Sequence, residues 1–238
     1  MSTVMVTGAS RGLGLEFVRQ YAAAGWEVIA CARRPDQANE LADLKRRWGA
    51  AVAVELLDVT SAAHIDMLAG KYPTAAIDVL INNAGDFGPR GAARELLPKQ
   101  IFGSLDYAAW RKLFDVNVFA PIQIAEAFTA QVERSEQKKM IFVSSTVGSI
   151  VESNQAFFPY ASSKAALNKC VSLVATQLSK RGIIAAAVCP GHAKTVLGGR
   201  GAVVEVADSI AGLRKVIARL TLAQTGSFTR YNGENISW

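Results

Sequence analysis

A chain of 238 residues with 50% apolar, 19% charged and 8% aromatic residues and a mean hydropathy of +0.19 can bury one large core, which excludes an intrinsically disordered protein. Its formal charge of +6 raises the question of nucleic acid, yet the basic residues are scattered (Arg33-Arg34, Lys45-Arg46-Arg47, Lys138-Lys139, Lys180-Arg181, Arg214-Lys215), with no run of five and no interleaved aromatics. No apolar run approaches the ~18 to 20 residues of a membrane span, no secretion signal is recognised, and Cys31, Cys170 and Cys189 are odd in number and widely spaced, so a cytoplasmic protein is expected.

Thr3 to Val6 is a short β-rich run ending in a glycine turn, and Leu13, Phe17, Val18 and Tyr21 then recur at helical spacing until Gly25 stops the helix. Trp26 to Ala30 is the next strand, residues 36–48 a charged amphipathic helix, and Ala51 to Leu57 a third strand. Helical residues 61–70 lead to a strand at Ile77 to Ile81, and residues 86–106 read as an irregular loop. Helices near 107–115 and 118–134, a strand from Met140 to Ser144, a helix near 160–180 and a strand from Ile183 to Val188 follow, and residues 192–208 read as a second loop. Continuous apolar strands separated by helical crossovers predict an α/β fold, a doubly wound parallel sheet of the Rossmann type, in a single domain over residues 1–238. Ligands are expected at the carboxyl ends of the strands.

The first strand runs into Thr7-Gly8-Ala9-Ser10-Arg11-Gly12-Leu13-Gly14. Three glycines between a strand and a helix let backbone N–H groups approach a pyrophosphate, and the positive end of the helix favours the anion. The spacing is GxxxGxG, so the GxGxxG dinucleotide fingerprint is not matched literally. With only His64 and His192 and no paired cysteines, no metal site is expected.

From this turn onward the chain resembles the short-chain dehydrogenase/reductase superfamily, whose classical members carry TGxxxGxG here. Asn82-Asn83-Ala84-Gly85 resembles the NNAG signature, Asn117 stands in a VNV context, Ser145 follows a strand, Tyr160 and Lys164 form YxxxK, and Pro190-Gly191 and Thr195 follow the sixth strand, all in the family's order. The YxxSK helix, the PGxxxT turn and the penultimate strand before Trp238 are similar to the subgroup containing the carbonyl reductase sniffer and the bacterial C-factor. The resemblance implies a nicotinamide cofactor contacted by Gly8, Ser10, Arg11, Gly12, Leu13, Gly14, Arg33, Asp58, Val59, Asn83, Ala84, Gly85, Tyr160, Lys164, Pro190, Gly191 and Thr195. Sites selective for NAD need an acid at the end of the second strand. Here that strand ends Cys31-Ala32-Arg33-Arg34, with two guanidiniums where a 2′-phosphate would sit, so NADP(H) is expected; strand-end arginines merely in solvent are the competing reading. Asp58 matches the adenine-contacting position, with a generic turn aspartate as its alternative.

Tyr160 and Lys164, four apart in a helical segment, share a face. An ammonium near a phenol stabilises the phenolate and lowers its pKa from ~10, so that the phenol can exchange a proton with a carbonyl or alcohol oxygen. Ser145 can hydrogen-bond the same oxygen. Ser145-Thr146-Val147-Gly148 fits the family's step from serine to glycine, with Ser144 the alternative, and Asn117 is implied to lie at a helix break that holds a relay water beside Lys164. The expected catalytic set is therefore Asn117, Ser145, Tyr160 and Lys164. The separation of Ser145 from Tyr160 implies a slightly long substrate loop through Asn154 to Phe158, and Phe87, Phe102, Phe157, Phe158 and Leu197 are candidate walls for a fairly apolar carbonyl or alcohol substrate. His192 reads as a loop histidine beside the nicotinamide or in solvent. A cofactor-bound regulatory protein with little turnover is the second function class. A homodimer or homotetramer through the helices near 107–134 and 160–180 fits the small Ala161 and Ala165, with a monomer left open.

Overall fold

The computed structural model describes residues 1–89, 99–153, 157–199 and 201–238. Its first half alternates β1 (Thr3–Thr7), α1 (Gly12–Ala23), β2 (Glu27–Ala32), α2 (Asn39–Trp48), β3 (Val52–Leu56), α3 (Ala62–Lys71) and β4 (Val79–Asn82). The second half contains α4 (Tyr107–Phe114), α5 (Ala120–Ala127), α6 (Thr129–Glu133), β5 (Lys139–Val143), α7 (Phe158–Leu178), β6 (Ile184–Cys189), α8 (Val206–Arg219) and β7 (Phe228–Arg230). The seven strands form one sheet in the order β3-β2-β1-β4-β5-β6-β7, and every pairing is parallel. The direction of winding reverses between β1 and β4, so a crevice opens at their carboxyl ends.

Strand periodicity divides the core into two layers. Val4, Val6, Val28, Ala30, Ile141, Val143, Ala186 and Val188 face α1, α2 and α8, whereas Met5, Ile29, Met140, Phe142, Ala185 and Ala187 face α3, α5 and α7. Both layers are apolar because a parallel sheet is covered on both faces, and this is why its strands read as unbroken apolar runs. The helices start where capping chemistry permits. Ser61 accepts from His64 N at the start of α3, Asp106 accepts from Ala109 N at the start of α4, and prolines occupy the first turns of α5 and α7.

The first six strands lie within two residues of their expected bounds. Two helical expectations need correction. The helix near 118–134 is interrupted: residues 115–119 form a π-helical turn between α4 and α5, and Phe128 separates α5 from α6. In addition, α8 begins at Val206, inside the expected loop 192–208, and continues to Arg219, a helix that the small and polar residues before it do not signal. Among the described residues no helix is long and apolar enough to cross a membrane.

Candidate active site

The glycine turn and the NNAG segment interlock at the β1/β4 switch point. Thr7 Oγ1 accepts from the N–H groups of Asn83 and Ala84, each at 3.0 Å, and donates to Ile81 O at 3.4 Å. Asn83 Nδ2 returns the contact, donating to Thr7 O at 2.8 Å and Gly8 O at 3.3 Å. Asn83 thus spends its amide on the shape of the cradle. Gly8 adopts φ +67°, and a Cβ there would lie 2.9 Å from Ala84 Cα; a Cβ on Gly14 would lie 2.2 Å from Gly8 O. Only glycine lets α1 start this close to the turn. Ser10 and Leu13 lie half-buried along the turn, and Thr195 leans over it, its Cγ2 coming within 3.4 Å of where a Cβ on Gly12 would stand.

Arg11, Arg33, Arg34 and Asp58 follow at or near the carboxyl ends of β1, β2 and β3. Arg11 caps α1 from an extended backbone and is exposed, and Arg33, just past the end of β2, is exposed as well. Arg34 turns aside toward Gln37 at 3.5 Å. Partial burial pushes the Asp58 carboxyl up, but the N–H and hydroxyl of Thr60, at 3.0 and 2.8 Å, together with Arg33 and His64, hold it below the ordinary carboxylate range. His64 Nδ1 accepts from Asp58 N at 3.2 Å, which fixes the backbone of this corner beside Val59.

The expected catalytic residues meet at the carboxyl ends of β4 and β5. Tyr160 is 8% exposed in the first turn of α7, with the Phe87 ring 4.6 Å from its own. Lys164, 5% exposed, reaches from the next turn so that Nζ lies 5.9 Å from the Tyr160 ring centre and donates to Val143 O at 2.8 Å. Burial pushes the Lys164 ammonium down to about 8, opposed by nearby Cys189. Ser145 is half-buried and caps the short turn that follows β5, its Oγ accepting from Val147 N at 3.4 Å. Its neighbour Ser144 is buried and donates to Asn168 Oδ1 at 2.6 Å. Of the two serines that follow β5, Ser145 is thus the half-buried one and Ser144 is committed to Asn168. Gly148 closes the turn against α7, since a Cβ there would lie 2.7 Å from Lys164 C.

Asn117 occupies the π-helical turn. Its Oδ1 accepts from Asp86 N at 2.9 Å, while Nδ2 donates to Asp86 O at 2.8 Å and to Ser163 Oγ at 3.1 Å. The side chain pins the segment after Gly85, and a Cβ on Gly85 would come within 3.4 Å of Asn117 Oδ1 and 3.8 Å of Lys164 Nζ. Asp86, Ser163 and Asn168 were not singled out in the sequence. Asn168 follows Lys164 by four residues, so helical spacing was the available signal.

The expected wall residues divide into two groups. Phe87 packs on the Tyr160 ring and Phe157 on Phe87, with ring centres 4.6 and 5.5 Å apart, whereas Phe102 pairs with Phe158 at 5.9 Å and is 83% exposed. Leu197 is partly exposed on the segment after Thr195. His192 is exposed and makes a 2.7 Å hydrogen bond with Gly198 O, so its visible work is within its own loop. The Pro190-Gly191 turn packs against the Tyr231 ring. Asn154, part of the expected substrate loop, lies outside the described residues, as do residues 90–98 and Arg200.

A family model described as short chain dehydrogenase matches residues 2–202. C-signal from Myxococcus xanthus is 31% identical over 166 residues, covering 69% of this chain and 95% of that protein. Among solved structures, the NADPH-bound carbonyl reductase from chicken fatty liver aligns with a TM-score of 0.87 and 29% identity, covering 100% of this chain and 99% of that one. Carbonyl reductase Sniffer of D. melanogaster aligns with a TM-score of 0.88 and 25% identity over the whole of both chains. The seven-stranded sheet, the interlocked glycine turn and these likenesses agree that the chain belongs to the short-chain dehydrogenase/reductase superfamily, in the sniffer and C-factor-like subgroup.

Proposed function

We propose that the chain, as one Rossmann-type domain, reduces an aldehyde or ketone to the alcohol with NADPH and runs the reaction in reverse with NADP. The observation that carries this reading is the convergence of Ser145, Tyr160 and a buried Lys164 beside the glycine cradle. The turn fits a dinucleotide: its glycines let the backbone of the turn, the NNAG segment and α1 pack closer than any Cβ would allow, and the N–H groups that begin α1 lie at this turn. Exposed Arg11 and Arg33, with no acid at the end of β2, favour a 2′-phosphate, and the NADPH of the chicken carbonyl reductase structure supports the same choice. Bound NADP(H) would supply or accept the hydride.

The chain's residues do the rest. Tyr160 holds the proton that goes to the carbonyl oxygen in reduction and takes it back in oxidation, and the Lys164 ammonium favours the phenolate left behind. Ser145 Oγ donates to the same oxygen as negative charge develops on it. Asn117 holds the Asp86 backbone and Ser163, keeping Gly85 against Lys164; the relay of protons from Lys164 toward solvent passes beside this turn. Phe87 and Phe157 exclude water from one side of Tyr160 and favour an apolar substrate. The free thiols Cys31, Cys170 and Cys189 support a reducing compartment, the cytoplasm.

C-signal bears a signalling name, and this favours a second reading, a cofactor-bound regulatory protein with little turnover. Calorimetric titration with NADPH and NADH, repeated on Arg33→Asp, tests the cofactor assignment. NADPH is expected to bind at least about tenfold tighter, a preference that Arg33→Asp removes. Equal affinity would move the assignment to an NAD-linked dehydrogenase. Tight NADPH binding without turnover on any carbonyl would favour the regulatory reading.

A further inference from the structure

The carboxyl ends of β5, β6 and β7 are joined by one side chain that the reaction outlined above does not use. Arg230 closes β7, in register with Cys189 of β6. Its Nη1 donates to Thr146 Oγ1 at 3.1 Å, and that oxygen also lies 3.3 Å from Cys189 Sγ. Its Nη2 donates to Glu152 Oε2 at 2.5 Å, and its Nε lies 3.6 Å from Glu234 Oε2. The second oxygen of Glu152 is taken by Ser237 N at 2.6 Å, and Glu152 N donates to Ser149 Oγ at 3.0 Å. Both carboxylate oxygens and all three guanidinium nitrogens are therefore engaged. The C-terminal segment supplying two of these groups is held by its own contacts: Ile236 N donates to Phe228 O at 2.8 Å, and the Trp238 ring stacks 5.4 Å from that of Phe228.

The position of this network matters more than its charge. An isolated exposed ion pair contributes little to stability. Here the Arg230 and Glu152 side chains are only 31% and 26% exposed, and the planar fork must satisfy partners in three directions. Thr146 is the residue after Ser145, and Glu152 lies on the chain between Ser145 and Tyr160. We propose that Arg230 is a positioning residue: through Thr146 it sets the turn that aims Ser145, and through Glu152, whose N–H is tied to Ser149 Oγ, it anchors the far end of the same segment. The C-terminal hairpin is in this way part of the catalytic apparatus. The inference rests on the carbonyl-reductase reading for its kinetic consequence, while the clamp itself has a readout without turnover.

The test compares the wild-type chain with Arg230→Met, Arg230→Lys, Glu152→Gln and the double variant Arg230→Met/Glu152→Gln. Four quantities are measured: NADPH affinity, kcat and KM with 4-nitrobenzaldehyde as an activated carbonyl probe, and amide hydrogen exchange of the peptides spanning residues 145–153. Arg230→Met is expected to lower kcat by about 10- to 100-fold, as displaced reacting groups do, with NADPH affinity unchanged within about twofold. Exchange over residues 145–153 is expected to accelerate by about tenfold or more while β1 and β4 stay protected. Lysine carries its three donors on one nitrogen, cannot span partners held by three separate guanidinium nitrogens, and is expected to rescue little. In Arg230→Met/Glu152→Gln the second change should add almost nothing, because both remove one coupled network. Unchanged exchange over 145–153 in Arg230→Met would overturn the clamp. Parallel loss of NADPH affinity, kcat and sheet protection would also overturn it, reducing Arg230 to general stability. A wild type that reduces no carbonyl, with the exchange change present, would overturn the reaction assigned to the site and leave the clamp standing.

Discussion

Lys164 illustrates how one residue is set against the stability of its own fold. Its ammonium is buried with Val143 O as its hydrogen-bond partner, and desolvation brings its pKa down to about 8 from 10.5 in the unfolded chain. Between those values the unfolded state binds a proton that the folded state lacks, so stability from this group rises with pH from about 8 to 10.5 and is lowest below 8. Lys164→Met removes that penalty. At pH 7 it is expected to stabilise the protein by about 1–3 kcal/mol, a melting temperature several degrees higher by scanning calorimetry, while abolishing measurable reduction. A lower melting temperature would show that the hydrogen bond to Val143 outweighs the buried charge. Tyr160→Phe separates chemistry from binding: loss of the proton donor should cost about 10²- to 10⁴-fold in kcat with NADPH affinity retained, read by single-turnover kinetics and titration. The spacing of Tyr160 and Lys164 was legible from four-residue helical geometry. The degree of burial was not, because it depends on Gly148 and β5 closing over the lysine from fifteen or more residues away.

At the scale of elements, the site depends on close approach between segments distant in sequence. Gly14 meets the carbonyl of Gly8 across the turn, and Thr7 and Asn83 hold β1 to β4. Gly14→Ala forces a methyl group into backbone and should destabilise by about 1–3 kcal/mol and weaken NADPH binding. Gly70, in α3 with open space around its missing Cβ, is the control. Gly70→Ala should stabilise by about 0.5–1 kcal/mol through helix propensity alone, both measured by urea denaturation. The first six strands were legible to within two residues because both faces of the sheet are covered and their apolar runs are unbroken, whereas the short β7 carried no bounds. The π-helical turn was foreseen only as a helix break at Asn117. Its form depends on the tie from Asn117 to the Asp86 backbone, a contact spanning 31 residues. The stripe Ile210, Leu213 and Ile217 has plain helical spacing, yet the small and polar residues before it extended the apparent loop into α8.

The whole molecule is a parallel sheet whose two halves contribute unequally: β1 to β4 carry the glycine turn and NNAG segment proposed to cradle the dinucleotide, and β5 to β7 carry Ser145, the C-terminal segment that clamps its turn, and Thr195, which leans over the glycine turn. The first half was legible because its motifs lie at strand ends and act through nearby backbone. The hairpin was not, since Arg230 and Thr146 are 84 residues apart and no local pattern links them. This division makes cofactor linkage a test of the entire assembly. A ligand that binds only the folded state at 100 times its Kd stabilises by about 2.7 kcal/mol, which for a domain of this size is a rise of about 5–11 °C in melting temperature. At the same concentration, NADH bound tenfold more weakly would contribute about 1.4 kcal/mol, roughly half the shift. Thermal denaturation with each cofactor should therefore separate the two in the wild type. In Arg33→Asp the larger shift should fall to or below the NADH value, because a carboxylate would then face the 2′-phosphate. Tyr160→Phe should keep the full NADPH shift, since the cradle belongs to the other half of the sheet. If it lost that shift, the two halves would not be energetically separate, and the Tyr160 hydroxyl would be a main source of the cofactor affinity that the family resemblance implies for this residue.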